Sequence, residues 1–578
     1  VKREYDRLGR EIANYVLSGT DDSAYADALS VTGDVVEQET HRVLNANTGQ
    51  VLLESVTSRT ENDYGSSEHR GALDSNSYSA ILGITTIANI TIQPSNLEGR
   101  TQIWTYSYDD LERVIGRHIF GTGDTDSGQT FDPDAVSMPD SLDTLYGYDA
   151  AGRLAEITDP LGRVEKRAFN DAGRMIERIE NYVTPPSGDP DENRTTEWTY
   201  RNDQLVEYIA HEGGATQTTT YSYAPGGTSD DNWPSREHLR SITYPDSGVE
   251  RFVYDDYDYI DRRIDAAGNE VKFSYDLPNR VSRLDLTAAT GFDDAVAALV
   301  IEYSGLGRLA TVTQLDSGDN EIDSVSMGYD GWSNLSTFTQ DPDGFAGSFG
   351  AQALTYVWEL ANSSGGRQTI RLAGKDFPSG ADVDYNYTSV AGSNGGDALM
   401  SRVSSIEYDA AVVAEYEYMG LDFVRKTSYP TNTTYALYSS LQDANGDFDA
   451  LDNYNRPVRS RWNRERAANA LTNELPFYDI TVHWDDNSNV TGVTDNVYTD
   501  FFNYEFENDG LNRLVDSKRG GGSGNSVALP AIEVESWGLS EIGVWGTHDL
   551  EFTGDNPPDY SDTGEFKAAG TFNSVNEM

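Results

Sequence analysis

Seven histidines, His41, His69, His118, His211, His238, His483 and His548, are the side chains best suited to acid–base or metal chemistry near neutral pH. None falls in a His-Glu-x-x-His pattern, and no two are spaced as a zinc pair. Scattered along strand-like and loop-like stretches, they are expected to be structural. Cysteine is absent, which removes disulfides, thiolate nucleophiles and cysteine-based zinc sites together. No Gly-x-Ser-x-Gly elbow and no phosphate loop ending in Lys-Ser/Thr is present, and Gly121-Thr122-Gly123 lacks the third glycine of a dinucleotide loop.

Carboxylates number 96, so a glycosidase-like pair could sit among them, but abundance singles out none. They are expected to cap turns or to stand in solvent. The densest run, residues 443–452, carries Asp443, Asn445, Asp447, Asp449 and Asp452, whose oxygens could wrap a calcium ion. Against this, Phe448 stands where an EF-type loop needs its sharp-turn glycine, and no bidentate Glu ends the run. No catalytic, cofactor-binding or metal-binding residue is therefore assigned. The 35 Tyr and 9 Trp offer a different chemistry, stacking on sugar rings, although their spacing favours a packed sheet face.

The elements that would position these groups are repetitive. An aromatic residue, Asp or Asn, two variable residues, Gly or Asn, and Arg or Asn recur as a unit. Copies are Tyr5-Asp6-Arg7-Leu8-Gly9-Arg10, Tyr148-Asp149-Ala150-Ala151-Gly152-Arg153 and Phe169-Asn170-Asp171-Ala172-Gly173-Arg174. Others are Tyr275-Asp276-Leu277-Pro278-Asn279-Arg280, Tyr303-Ser304-Gly305-Leu306-Gly307-Arg308 and Tyr329-Asp330-Gly331-Trp332-Ser333-Asn334. Looser ones follow at Trp484-Asp485, Asp509-Gly510-Leu511-Asn512-Arg513 and Phe572-Asn573. Shorter turns of the same chemistry stand between them, such as Asp159-Pro160-Leu161-Gly162-Arg163 and Asp265-Ala266-Ala267-Gly268-Asn269. The first Asp can accept backbone N–H groups, and the Gly or Asn three residues on tolerates positive φ. The Arg after the turn can return to a carboxylate or stack on an aromatic ring.

Between turns the chain alternates. Val271, Phe273 and Tyr275 share one face of a strand while Glu270, Lys272 and Ser274 take the other. Trp104, Tyr106 and Tyr108 alternate likewise with Thr105 and Ser107. Tyrosines two apart, at 106/108, 146/148, 221/223, 257/259, 385/387 and 416/418, should stack between strands as aromatic ladders. Turn, strand and turn in succession make a meander of antiparallel hairpins. A propeller would instead repeat at about 40–50 residues per blade.

Residues 1–97 carry degenerate copies, poorest over 20–93, although Ile84 to Ile92 still has strand character; residues 98–578 carry the clear repeat. The segments 121–139, 185–193 and 520–526 are expected to be exposed loops, and 463–475 a brief helix. No interdomain linker stands out. The net charge of −54, with Lys only at 2, 166, 272, 375, 426, 518 and 567, disfavours nucleic acid and anionic membranes as partners. No run of about 18 apolar residues offers a membrane span. The chain opens at Val1 inside what has the look of a running repeat, and a fragment of a longer exported protein is expected.

These Tyr-Asp-x-x-Gly-Arg units resemble the YD repeats of bacterial Rhs proteins, toxin-complex C components and animal teneurins. The stretches 452–462, 484–490, 509–514 and 535–545 also resemble the segment before the C-terminal core of Rhs repeat-associated proteins. The resemblance implies an all-β, spiralling antiparallel β-hairpin YD-repeat shell, extracellular or at the cell surface. It implies a non-catalytic role, encapsulating or presenting a C-terminal effector that is a polypeptide of the same full-length chain. The alternative it implies is an extracellular adhesion or carbohydrate-binding module meeting glycans or receptors. The family's Asp-Pro-x-Gly cleavage motif has the letters of Asp159-Pro160-Leu161-Gly162, which stands within the repeats and receives no catalytic role.

Overall fold

The computed structural model describes residues 1–19, 35–45, 47–59, 90–91, 99–120, 130–131, 141–212, 215–223, 238–342, 350–362, 368–387, 396–421, 423–430, 435–441, 448–452, 454–466, 475–524, 526–528, 531–539, 545–552 and 565–567. Alternating apolar and β-branched residues between tight turns leave each segment one way to satisfy its backbone, by pairing with its predecessor. The result is a single 37-stranded sheet, antiparallel at each pairing and ordered along the sequence from Lys2–Tyr5 to Glu565–Lys567. One helical turn, Gly396–Met400, is the single helix among the described residues. The all-β meander expected from the sequence is the fold observed.

Because successive strands alternate in direction, their connections alternate between the two borders of the ribbon. The six-residue turns of the repeated unit at 5–10, 108–113, 148–153, 275–280, 303–308, 484–489 and 508–513 fall on one border, called here the Tyr-Asp border. The turns at 159–163, 265–269 and 316–320 fall on the other.

The ribbon coils back on itself. Glu37 meets Arg402 and Gln102 meets the Tyr454 carbonyl, 365 and 352 residues apart. Asp159 meets Asn487 and Arg163 meets Asn512, 328 and 349 residues apart. In each pair the earlier residue lies at or near the plain border and the later one on the Tyr-Asp border. Consecutive coils therefore stack with sequence order preserved, Tyr-Asp border onto plain border, and one circuit takes about 320–365 residues.

Most of the wall is one strand thick. The strands Leu154–Thr158, Leu309–Leu315 and Glu321–Tyr329 are half-buried at every position. Burial concentrates nearer the N-terminus, on one face of the strands Glu11–Gly19, Val35–Leu44, Val51–Arg59, Gly99–Tyr108 and Val114–Phe120, where Leu53 and Ile103 are fully buried.

Two expectations are corrected. Residues 463–466 belong to the strand Arg459–Arg466, paired with Tyr435–Ser440 and with Leu475–Trp484, so no helix starts there; 467–474 lie outside the described residues. The segment 520–526 is no simple loop, since Gly522-Ser523 pairs with Ser526-Val527. A Cβ on Gly522 would meet the Ser526 carbonyl, so that small hairpin needs glycine there. The segment 185–189 is exposed as expected, whereas most of 121–139 and the strand expected at 84–89 lie outside the described residues.

Candidate functional site

The repeated turn is the most regular piece of chemistry in the molecule. In Tyr275–Arg280, Asp276 Oδ1 accepts the Arg280 N–H at 2.9 Å and Oδ2 accepts Arg280 Nε at 2.8 Å. Asn279 takes φ +64, and the register slips beside Tyr275, which is the geometry of a tight turn closed by a bulge. The same bonds recur at Asp6, Asp109, Asp149, Asp452 and Asp509. Hydrogen bonds from the Arg280 side chain hold the Asp276 carboxyl below its ordinary 3.8, against the opposing effect of burial. At Asp149 the Arg153 backbone N–H is the main cause of the same lowering.

Each turn then reaches forward. The Arg280 guanidinium lies 4.0 Å from the ring centre of Tyr303, the aromatic of the next unit. That tyrosine reaches back, its hydroxyl donating to the Val281 carbonyl at 2.9 Å. Arg113 and Tyr148 repeat the pair at 4.4 Å, with the Tyr148 hydroxyl donating to Val114. Arg308 and Tyr329 do so at 4.3 Å, with Leu309 as acceptor. Arg371 with Tyr387 and Arg402 with Tyr418 continue it. Where Trp484 replaces tyrosine, its indole N–H donates to Pro457 instead. The sequence suggested that Arg returns to a carboxylate or stacks on a ring; it does both, and the ring belongs to the following unit. Ring-on-ring stacking survives in places, as between Tyr429 and Trp462 at 5.3 Å, but the ladder runs mainly through alternating Arg and Tyr. Each staple joins a cation–π contact of about 0.5–2 kcal/mol to a hydrogen bond of about 0.5–1.5 kcal/mol.

The seam between coils holds a cluster of buried charge. Arg402 Nε donates to Asp397 Oδ1 at 2.8 Å, Nη2 lies 3.5 Å from Glu37 Oε2, and Nη1 donates to the Gly420 carbonyl. Glu37 and Asp397 are each 2% exposed and Arg402 8%. Gly420, at φ +63, sits so near Ser58 that a Cβ would stand 2.6 Å from that side chain. Farther along, Asn487 Nδ2 donates to Asp159 Oδ2 at 2.6 Å, Arg163 Nη1 donates to Asn512 Oδ1 at 2.6 Å, and the Gly510 N–H donates to Asp191. Asp159, whose letters match a cleavage motif, thus serves the seam.

The described histidines have local partners. His41 is buried against Glu39 and the Tyr15 ring, His211 meets Glu197, His238 stacks on Tyr254, and His483 meets Thr494. His118 Nδ1 stands 2.8 Å from Asp143 Oδ1, with Nε2 3.4 Å from Ser107 Oγ. His69 and the His548 side chain lie outside the described residues. In the acidic run considered for calcium, Asp449 binds Arg459 and Asp452 binds Arg456, while Phe448 packs with Met419 and Leu451; 442–447 lie outside the described residues. Among the described residues no group of three or more metal-ligating side chains comes together. The seam and the His118 set escape a sequence reading because their members meet through coiling or strand register, with no local spacing to betray them.

Residues 141–180, which span three of these strand–turn units, match the RHS Repeat family model. No curated protein matches. Among solved structures, TcdB2-TccC3 without its hypervariable C-terminal region is 9% identical, covering 99% of this chain and 34% of that one at a TM-score of 0.46. TcdB2-TccC3-TEV is 10% identical, covering 95% and 32% at 0.44. The Photorhabdus luminescens Tc holotoxin pore is 9% identical, covering 96% and 33% at 0.43. The chain spans about a third of those chains. Residues 141–180 thus carry an RHS repeat, and the same stapled turn recurs before and after it along a coiled all-β wall.

Proposed function

We propose that this chain is wall of an exported Rhs-type shell that encloses or presents a polypeptide effector belonging to its own full-length chain. The observation that carries the reading is the seam: a one-strand-thick ribbon whose coils lock border to border is suited to bounding a space. The task is mechanical and calls on no catalytic step. The exposure of turn residues also differs between the coils. Leu111 and Leu306 are 72% and 76% exposed, whereas Leu511, at the same turn position beside the seam, is only part-exposed. The test is limited proteolysis of the full-length protein. Protection of the downstream segment, lost when the wall is unfolded, is expected; digestion as fast as that of the isolated segment overturns the reading.

A surface groove of about 490 Å³ favours a second reading, glycan binding. It is lined by Trp198 and Tyr200 beside Glu177 and Glu197, rings and carboxylates that suit a sugar. Trp198→Ala should abolish glycan-array signal on this reading and leave it unchanged on the first.

A further inference from the structure

The strands Gly99–Tyr108, Val114–Phe120 and Ser141–Tyr148 are neighbours, and their register sets three side chains in line. Ser107 pairs with Gly116, two residues before His118 on the same face, and His118 pairs with Asp143. Gly116 supplies the missing space. A Cβ there would stand 2.9 Å from His118 Nε2, so the imidazole leans across a position that only glycine leaves open. By leaning, it brings Nε2 within 3.4 Å of Ser107 Oγ.

The other side of the ring is anchored. His118 Nδ1 lies 2.8 Å from Asp143 Oδ1, which also accepts the Ser141 hydroxyl at 2.6 Å. A carboxylate can only accept, so Nδ1 carries a proton, and in the neutral imidazole Nε2 is then the acceptor nitrogen that faces Ser107. The His118 side chain is 6% exposed and that of Asp143 22%, while Ser107 is part-exposed at the end of the line.

We propose that Ser107, His118 and Asp143 act as nucleophile, base and orienting carboxylate, making Ser107 an acyl acceptor for activated esters or thioesters. This goes beyond the wall role and does not depend on it. Ser107 Oγ bonds to the acyl carbon as its proton passes to His118 Nε2. The bond from that carbon to the leaving oxygen or sulfur breaks, and the leaving group takes the proton. The acyl group has moved to serine with no change of oxidation state. The amides of these strands are engaged in sheet ladders, and losing an oxyanion donor costs about 10²–10³ in rate. The activity expected is therefore stoichiometric acylation rather than rapid turnover.

The test uses the whole chain and a fluorescent fluorophosphonate, whose P–F bond is exchanged for a P–O bond to serine as fluoride leaves. Peptide mass spectrometry then locates the label. One dominant adduct on Ser107 is expected, absent in Ser107→Ala. His118→Gln and Asp143→Asn should slow labelling about a hundredfold, the lower reach of general-base catalysis. Gly116→Ala should slow it by displacing the ring, with the circular dichroism spectrum unchanged. Labelling of Ser107 no faster than other serines in the wild type overturns the proposal. So does wild-type speed in folded Asp143→Asn and Gly116→Ala, and those two variants decide the matter where His118→Gln fails to fold.

Discussion

The strands described within 11–59 and 99–120 and those within 141–342 share one sheet but are held in different ways. In the first region a strand face is sealed, with Ala13, Tyr15, Val43, Leu53, Ile103 and Phe120 all nearly or fully buried. In the second, whole strands stay half-buried and order comes from Asp turns, Arg–Tyr staples and carbonyl caps. Sealed faces can tolerate imperfect turn motifs because burying apolar side chains stabilises them directly. A wall wetted on both faces has little to gain that way, so it keeps its turn chemistry strict. Strict turns at Asp6 and Asp109 border the sealed face as well, so there the two sources of order add, whereas the thin wall relies on the turns and staples.

Acid should break that difference most widely, because it reaches every turn at once. The carboxyls of Asp149, Asp276, Asp316 and Asp330 are held below 3.8 in the folded wall by donated hydrogen bonds. Unfolding returns them to that value, so protonation favours the unfolded state. Their contribution is complete above the ordinary value and is lost as pH falls through the lowered one. Hydrogen exchange followed downward from pH 5 should show 141–342 opening before the buried strand around Leu53; the reverse order contradicts the distinction.

Arg402→Met strikes the seam, leaving Glu37 and Asp397 buried without their cation. The cost expected in urea unfolding is about 3–5 kcal/mol, much of it restored by adding Glu37→Gln and Asp397→Asn. Ile103→Ala should cost about 2–5 kcal/mol by opening a cavity in the sealed face. Leu309→Ala in the thin wall should cost about half as much, and equal losses would erase the contrast. Tyr303→Phe removes one carbonyl cap and should cost about 1 kcal/mol, read as faster exchange near Val281.

The legible part of this fold is the local part. Asp276 and Arg280 are four residues apart, so turn, cap and ion pair can all be read from the unit itself. The ring that Arg280 covers stands 23 positions later, where only knowledge of which strands pair identifies it. The Glu37–Arg402 contact needs the circumference of the coil, which is set by accumulated strand twist rather than by any motif. Residues 463–475 misled because Arg, Glu, Ala and Leu favour helix, yet Trp462 and Asn463 have partners on both sides in the sheet. The Ser107–His118–Asp143 line was hidden for a similar reason: separations of 11 and 25 residues mean nothing until register is known.

Border-to-border stacking also makes the wall behave as a vernier scale. Two rulings of the same turn slide past one another, and they are in phase only if the hairpins between Asp159 and Asn487 stay fixed in number. Lengthening a loop leaves that count untouched, but gaining or losing one hairpin shifts each later mark by a full division. Length can therefore vary freely within turns, while the tally of strands per circuit is held by the coil itself.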